Sequence, residues 1–247
     1  PCVEPPGRTF RYNSAATYVL SALVTRLTGQ PLTDYLQDRL FGPLGFGPVP
    51  SEMSPEGACA GGWGLFLRVG ELARLGQLVL QNGVYDGRRL LSAAYLAEAT
   101  RVQIDTEAGF GRGYGYQFWA CPDGGFRMDG AFGQSCLVMP DRDVVFAATN
   151  GLDDAARFFR AAWSLREDMA DGPLPADPPA FRVLQDRLAG LAHRLDGGRP
   201  DSPLEIAVSG RTYRLGDNDY GLRAVRFRFR PDGCDLQLET DRGTFRA

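Results

Sequence analysis

The chain has 247 residues, with 44% hydrophobic residues, 23% charged residues and a formal net charge of -3. These proportions suit a globular protein with one sizeable core and an appendage, and they exclude a nucleic-acid-binding tail or a polybasic membrane patch. No run of about 18 uncharged apolar residues predicts a transmembrane helix, and no charged-then-apolar leader opens the sequence, so a cytoplasmic location is the expectation.

The five cysteines (Cys2, Cys59, Cys121, Cys136, Cys234) are odd in number and scattered, without zinc or redox spacing, which points to free thiols in a reducing compartment. All 27 Lys+Arg cations are arginines. No lysine general base or Schiff base can therefore come from this chain.

In chain order, the extended, Pro/Gly-marked stretch from Pro5 to Arg11 leads to Tyr12-Asn13-Ser14, which places the tyrosine at the mouth of a helix. Apolar residues crowd positions 15 to 27 on most of the circumference, predicting a buried helix capped by Asn13 or Ser14 and ended by Gly29. Pro31 opens a second helix with Leu32, Tyr35, Leu36, Leu40 and Phe41 on one face. A Pro/Gly-rich loop follows over 42 to 62, and then Gly61-Gly62-Trp63-Gly64-Leu65. Residues 69 to 81 read as a helix with Val69, Leu72, Leu75, Gly76, Val79 and Leu80 inward. Asn82-Gly83 and Asp86-Gly87 are turns, and 91 to 100 is a helix capped by Ser92.

The period then changes. Residues 114 to 119 alternate like a strand, Gly124-Gly125 turns, and strands follow at 126 to 128, 136 to 139 and 144 to 148 around a Pro140–Asp143 turn. Helical spacing returns over 153 to 169, with Ala156, Phe159, Ala162, Trp163 and Leu165 facing the sheet. A Pro-rich linker (172 to 179) precedes an amphipathic helix carrying Phe181, Leu184, Leu188 and Leu191, which ends at Gly197-Gly198-Arg199-Pro200. From Leu204 onward the chain reads as β, with its clearest strand at 225 to 229 and an exposed edge near the end. The expected organisation is a domain over 1-170, a linker with a short helix over 171-202, and a small β-rich piece over 203-247.

Several segments in this order resemble the penicillin-recognising serine hydrolases, a family that includes class C β-lactamases, DD-peptidases and related esterases. The resemblance spans residues 5 to about 170. It rests on Phe10-Arg11-Tyr12-Asn13-Ser14-Ala15-Ala16-Thr17-Tyr18, Tyr35-Leu36 through Phe41-Gly42-Pro43-Leu44-Gly45, Ala60-Gly61-Gly62-Trp63-Gly64-Leu65, Leu75-Gly76-Gln77-Leu78 and Gly130-Ala131-Phe132-Gly133-Gln134. The C-terminal linker, helix and β-piece look like the tail found on one branch of that superfamily. The fold class it implies is α/β (α+β): an incomplete β-lactamase/transpeptidase-like fold of helices plus antiparallel sheet, followed by a small β-rich piece.

Such enzymes use Ser-x-x-Lys, then Tyr-x-Asn, then Lys/His-Thr/Gly-Gly on a strand. The serine attacks a carbonyl, lysine and tyrosine handle its proton, and two backbone N–H groups hold the oxyanion. The resemblance puts Tyr12 in the tyrosine role and Ser14 where an asparagine usually stands. It puts Met128-Asp129-Gly130 on the third motif and makes the N–H of Ala131 the second oxyanion donor. Two departures follow. Only eleven residues precede Tyr12, so no Ser-x-x-Lys helix lies upstream of it in this sequence. The third motif has also exchanged its cation for Asp129, whose carboxylate would repel a ligand carboxylate by about 1 to 4 kcal/mol at 4 Å. Neutral esters or amides are thus expected over β-lactams.

Plainer readings stand beside these. Ser14 can serve as an N-cap, and Gly130 to Gly133 as a close-packed strand edge. His193, the single histidine, is expected on the linker helix outside any Ser-His triad. Asp217-Asn218-Asp219 and Asp141-Arg142-Asp143 read as turns rather than metal sites, and Arg226, Arg228 and Arg230 read as the wet face of a strand.

The expectation is a β-lactamase-related serine hydrolase that lacks the nucleophile motif in this chain and is inactive alone. It uses no cofactor or metal and no nucleic-acid or membrane partner, and takes a small ester, amide or peptide-like substrate if complemented. The alternative is a noncatalytic binding or assembly domain that pairs with itself or with an N-terminal fragment; a gene start further upstream is a third reading.

Overall fold

The computed structural model describes residues 5–106, 111–170, 172, 174–191, 202–231 and 233–246. Cys2, His193 and the 197–200 Gly/Pro stretch lie outside the described residues. Two compact units are present, Pro1–Leu174 and Pro175–Ala247.

The first unit begins with helix α1 (Ser14–Thr28), where the Asn13 side chain accepts the Ala15 N–H at 3.0 Å. Gly29, left-handed at φ 72°, closes the helix by donating to Thr25 O. Asn13 is thus the cap, and Ser14 is the first helical residue. The predicted burial of α1 is not observed. Among its described residues only Ser21 is buried, while Val19 and Leu27 are 62% and 76% exposed and Leu20 and Leu23 about half exposed.

The reason is a close backbone approach. A Cβ on Gly62 would lie 2.5 Å from Ser14 O, and one on Gly61 would lie 2.7 Å from Ser21 Cβ. The Ser21 hydroxyl donates to Cys59 O at 2.8 Å. The small, polar side of α1 therefore faces the Gly61-Gly62 segment, because only that side admits a backbone so near, and the leucine side is left outward.

Helix α2 (Leu32–Leu36) continues through a π-type turn over Gln37–Phe41, whose last residue, Phe41, is buried with Leu44, Phe46, Val49 and Leu78. Helix α3 (Val69–Leu80) starts where the Glu71 carboxylate accepts the Arg68 N–H at 2.8 Å. Leu78 is fully buried and Val69 exposed, a shift of the expected inward face toward the Phe41, Leu44 and Phe46 cluster. Strands β1 (Val84–Tyr85) and β2 (Arg88–Arg89) form a hairpin around Asp86-Gly87, both at positive φ, the geometry a two-residue turn of this kind requires. Helix α4 (Ala93–Thr100) is capped by Ser92.

The main sheet is an antiparallel meander in the order β3 (Trp119–Ala120), β4 (Phe126–Asp129), β5 (Ser135–Met139), β6 (Val144–Ala148). The strand predicted over 114 to 119 is a correction. Gly115 N–H donates to Phe118 O and Gln117 takes φ 67°, so the chain folds into a tight turn that leaves Tyr114 and Trp119 facing each other in a single bridge. Period-2 alternation divides the sheet between two cores. Phe126, Cys136 and Val138 pack with Val79 and Leu96 under α3 and α4. Leu137 and Met139 pack with Phe159, Ala162 and Trp163 of α5 (Ala155–Ser164). Ala156 and Leu165, expected on that inward face, are exposed; Ala155 and Phe158 take their place.

The second unit holds α6 (Pro178–Ala189), α7 (Pro203–Val208) and a second antiparallel meander: β7 (Thr212–Arg214), β8 (Leu222–Arg230), β9 (Gly233–Thr240) and β10 (Gly243–Arg246). Helix α7 corrects the reading of continuous β from Leu204. Ser202 and Glu205 form a capping box around Pro203, which favours a helix over a strand. Asn218 organises the 216–222 turn by accepting from the Tyr220 and Leu222 N–H groups and donating to Gly216 O and Leu222 O. Among the described residues no helix is long and apolar enough to cross a membrane.

Gly76 marks the closest approach of α3 to the sheet: a Cβ there would meet Cys136 Sγ at 2.5 Å and Val145 Cγ1 at 2.6 Å. Alanine raises helix propensity by up to about 1 kcal/mol, but overpacking costs about 1–3 kcal/mol. Gly76→Ala is therefore expected to lower the urea midpoint; a midpoint equal to or above wild type would contradict this packing.

Candidate active site

Tyr12 leaves the extended segment just before α1 and is 59% exposed. Its ring stacks on Trp119 of β3 (centroids 5.7 Å, 21° between planes) and meets Tyr114 edge-on at 6.3 Å. Phe10 packs on the same two rings at 5.0 and 5.5 Å, and Tyr114 and Trp119 are 4.8 Å apart. Offset and edge-to-face pairs of this kind each contribute about 0.5–1.5 kcal/mol beyond burial. The Pro5–Arg11 segment therefore docks on the β3 edge of the sheet through aromatic rings.

Behind Trp119 lies Arg127, its register partner on β4. This arginine is only 5% exposed. Its guanidinium lies 5.5 Å from the Trp119 ring centroid and 4.8 Å from that of Phe159, and donates to Ala120 O at 3.1 Å. Its Nε donates to Asp129 Oδ2 at 2.9 Å. Asp129 is itself largely buried; burial pushes its carboxyl above the usual carboxylate range, and the Arg127 charge and hydrogen bond oppose that rise. Asp129 Oδ1 and the hydroxyl of Ser135, directly opposite across the β4–β5 ladder, are buried without a hydrogen-bond partner among the described residues.

The pairing changes the reading of Asp129 drawn from sequence. An isolated carboxylate would repel an anionic ligand, whereas a carboxylate tied to a guanidinium on the same strand has little net field. The repulsion expected from Asp129 alone does not carry over to this geometry. Tyr114 feels both sides of the site: burial first, then the charges of Tyr12 and Asp129, push its phenol up to about 12.

The turn after β4 carries the other predicted residues. Gly130 N–H is engaged by Gln134 O at 2.7 Å, and Ala131 opens the short 3-10 turn Ala131–Gly133. The leading N–H groups of such a turn have no partner within it. Phe132, at φ 60° and well exposed, stands at its tip. Gln134 and Asn150 clamp the turn with reciprocal amide hydrogen bonds: Gln134 Nε2 donates to Asn150 O, Asn150 N–H donates to Gln134 Oε1 at 3.1 Å, and Asn150 Nδ2 donates to Gly133 O at 2.7 Å.

The structure thus links Tyr12 to the strand of Asp129 through Trp119 and Arg127. Gly130 and Ala131 directly follow that strand, and Ser14 lies against Gly62. Sequence reasoning did not single out Arg127, Trp119, Tyr114, Gln134 or Asn150 as parts of the site. The available signal was the i, i+2 spacing of Arg127 and Asp129, which puts opposite charges on one face of a strand. Among the described residues no group of His, Cys, Asp and Glu side chains could hold a metal ion.

Breaking a buried pair strands a charge and costs about 3–5 kcal/mol, whereas replacing both members by apolar residues is often neutral. Arg127→Met is accordingly expected to unfold at much lower urea, and Arg127→Met/Asp129→Leu to recover most of the loss; a double variant as weak as the single would contradict the pairing. The raised Asp129 value carries a sign. The native state holds that proton more tightly than the unfolded chain, so stability falls as pH climbs from about 4 through the raised value. Relative to Asp129→Asn, wild type should lose stability across that window, measured by urea titrations at each pH; parallel profiles would contradict it.

The β-lactamase family profile matches residues 1–169. Penicillin-binding protein 4 of Amycolatopsis lactamdurans is 32% identical over 244 residues, covering 79% of this chain and 62% of the relative. The chain therefore spans under two thirds of that relative's length. A solved β-lactamase from Mycobacterium bovis shares the fold with a TM-score of 0.52 at 24% identity, over 68% of this chain and 67% of that one. A Bacillus anthracis protein provisionally assigned as a 6-aminohexanoate-dimer hydrolase superposes with a TM-score of 0.56 at 21% identity, over 77% of this chain and 47% of that one. The profile covers more than half of the chain and the relative agrees with it: the chain belongs to the β-lactamase family.

Proposed function

We propose that this chain carries the tyrosine and oxyanion-turn portion of an acyl-serine hydrolase site and has no turnover of its own. The observation that supports this reading is compositional: 27 cations and no lysine among 247 residues. In the family's chemistry a lysine shares the serine's proton with the tyrosine, and Tyr12 has none to draw on within this chain. In this reading Tyr12 is the ancestral catalytic tyrosine, Ala131 N–H the oxyanion donor, and Ser14 and Gly130 the substrate-binding rim, with Asp129 behind it and paired to Arg127. A small ester, amide or peptide-like substrate is processed only when a partner segment brings Ser-x-x-Lys. Free thiols at Cys59, Cys121, Cys136 and Cys234 support a reducing, cytoplasmic setting.

The purified chain should hydrolyse nitrocefin and p-nitrophenyl esters no faster than buffer, with Tyr12→Phe indistinguishable from wild type. Turnover that Tyr12→Phe abolishes, with stoichiometric fluorophosphonate labelling of a serine, would overturn the reading.

A second reading, a noncatalytic assembly domain, is favoured by the outward side of α1. Val19, Leu20, Leu23 and Leu27 form an apolar stripe uncovered among the described residues, and such stripes favour association. Light scattering after size exclusion separates the two: self-association that Leu20→Glu/Leu27→Glu abolishes supports assembly, and a monomer at all concentrations contradicts it.

A further inference from the structure

The β7–β10 sheet has two unlike faces. One carries Tyr213, Val225, Phe227, Phe229, Leu236 and Leu238, brought together by register. The other carries Arg226 and Arg228 on β8 and Arg246 on β10, with Gln237 of β9 paired to both Arg226 and Arg246. These residues line an open trough of about 480 Å³ together with Asp235.

The charges in this trough do not balance. Asp235 is engaged by Arg230, whose Nη2 lies 2.5 Å from its Oδ1. Among the described residues Arg226, Arg228 and Arg246 take part in no ion pair. Alternate residues on a strand are about 6.6 Å apart and neighbouring strands about 4.8 Å, so the three guanidinium groups are rooted within roughly 12 Å of one another, with Asp235 opposite Arg228 as the one carboxylate of the trough. Arg226 is half-buried, which strengthens its field relative to a fully solvated side chain.

We propose that this trough is an anion-binding site for a phosphate-bearing ligand. A guanidinium presents a planar fork that pairs bidentately with phosphate oxygens. Three such forks match the charge and several acceptor oxygens of a phosphate or pyrophosphate group; a single carboxylate would leave two of the cations uncompensated. Gln237, between Arg226 and Arg246, adds a neutral amide donor at the centre. The ligand is a soluble phosphate compound or a phosphorylated lipid headgroup, which present the same chemistry to these side chains. The site is independent of Tyr12 and of any hydrolytic role.

The test is titration of the full chain with pyrophosphate at constant ionic strength, followed through the arginine Nε–Hε signals. Saturable shifts at Arg226, Arg228 and Arg246 are expected. Arg226→Gln/Arg228→Gln/Arg246→Gln should weaken binding roughly tenfold or more, and the corresponding triple lysine variant less. Arg182→Gln/Arg187→Gln on α6 should bind like wild type. A parallel arm uses phosphatidylcholine vesicles with and without a phosphoinositide. Recruitment that the triple glutamine variant loses supports the headgroup source, and pyrophosphate binding without recruitment supports a soluble one. No saturable response in either arm, or binding unchanged in the triple glutamine variant whose urea midpoint matches wild type, would overturn the proposal.

Discussion

One buried guanidinium organises the first unit. Arg127 lies between the rings of Trp119 and Phe159 and is tied to Asp129 on its own strand. An unpaired charge at that depth would cost several kcal/mol, so the position is tenable only with the carboxylate, the Ala120 carbonyl and two aromatic faces in place. These partners belong to three different elements: Phe159 to the covering helix α5, Ala120 and Trp119 to the edge strand β3, and Asp129 to the end of β4 just before the Ala131–Gly133 turn. The core and the candidate site therefore share a single electrostatic anchor. Tyr12, which touches only the outer face of this arrangement, inherits its position from it.

A second constraint acts at the other side of Tyr12. The Gly61-Gly62 backbone comes so close to α1 that a methyl group could not be accommodated at either glycine without displacement. Small residues on the helix, Ser14 and Ser21, must face that segment, and this dictates the helix's rotation. The leucines are directed outward as a consequence of that rotation. The same choice that seats Tyr12 at the helix mouth thus creates the apolar stripe on which an assembly role depends.

What was legible in the sequence is what local chemistry decides. Asn13, Gly29, Ser92, Asp86-Gly87 and Asp143 mark caps and turns whose geometry depends on one or two side chains, and the structure has them in those roles. Strand β5 was readable as a short continuous apolar run because both of its faces are buried. Errors arose where a distant partner decided the outcome. The rotation of α1 depends on glycines some 40 residues away, and a run of aromatics over 114 to 119 became a turn because Tyr114 bridges to the distant Ile104 as well as to Trp119, with the Gly115 N–H closing on Phe118 O. Ser202 and Glu205 did carry a local helix signal, which the β-rich context obscured. For the candidate site, the family resemblance pointed to Tyr12 and the Asp129–Ala131 stretch, which the structure links through Trp119 and Arg127. Arg127 was not, since nothing in the sequence separates it from 26 other arginines until Asp129 is seen beside it on the strand.

Arg127 positions Tyr12 through Trp119, whose ring both of them contact. A double-mutant cycle between Tyr12→Leu and Arg127→Met, read by urea denaturation, measures that dependence directly. Coupling of roughly 0.5–3 kcal/mol is predicted, because residues joined through a shared partner are not independent. Losses that add to within about 0.3 kcal/mol would show that the tyrosine is held by something else, and would contradict the account.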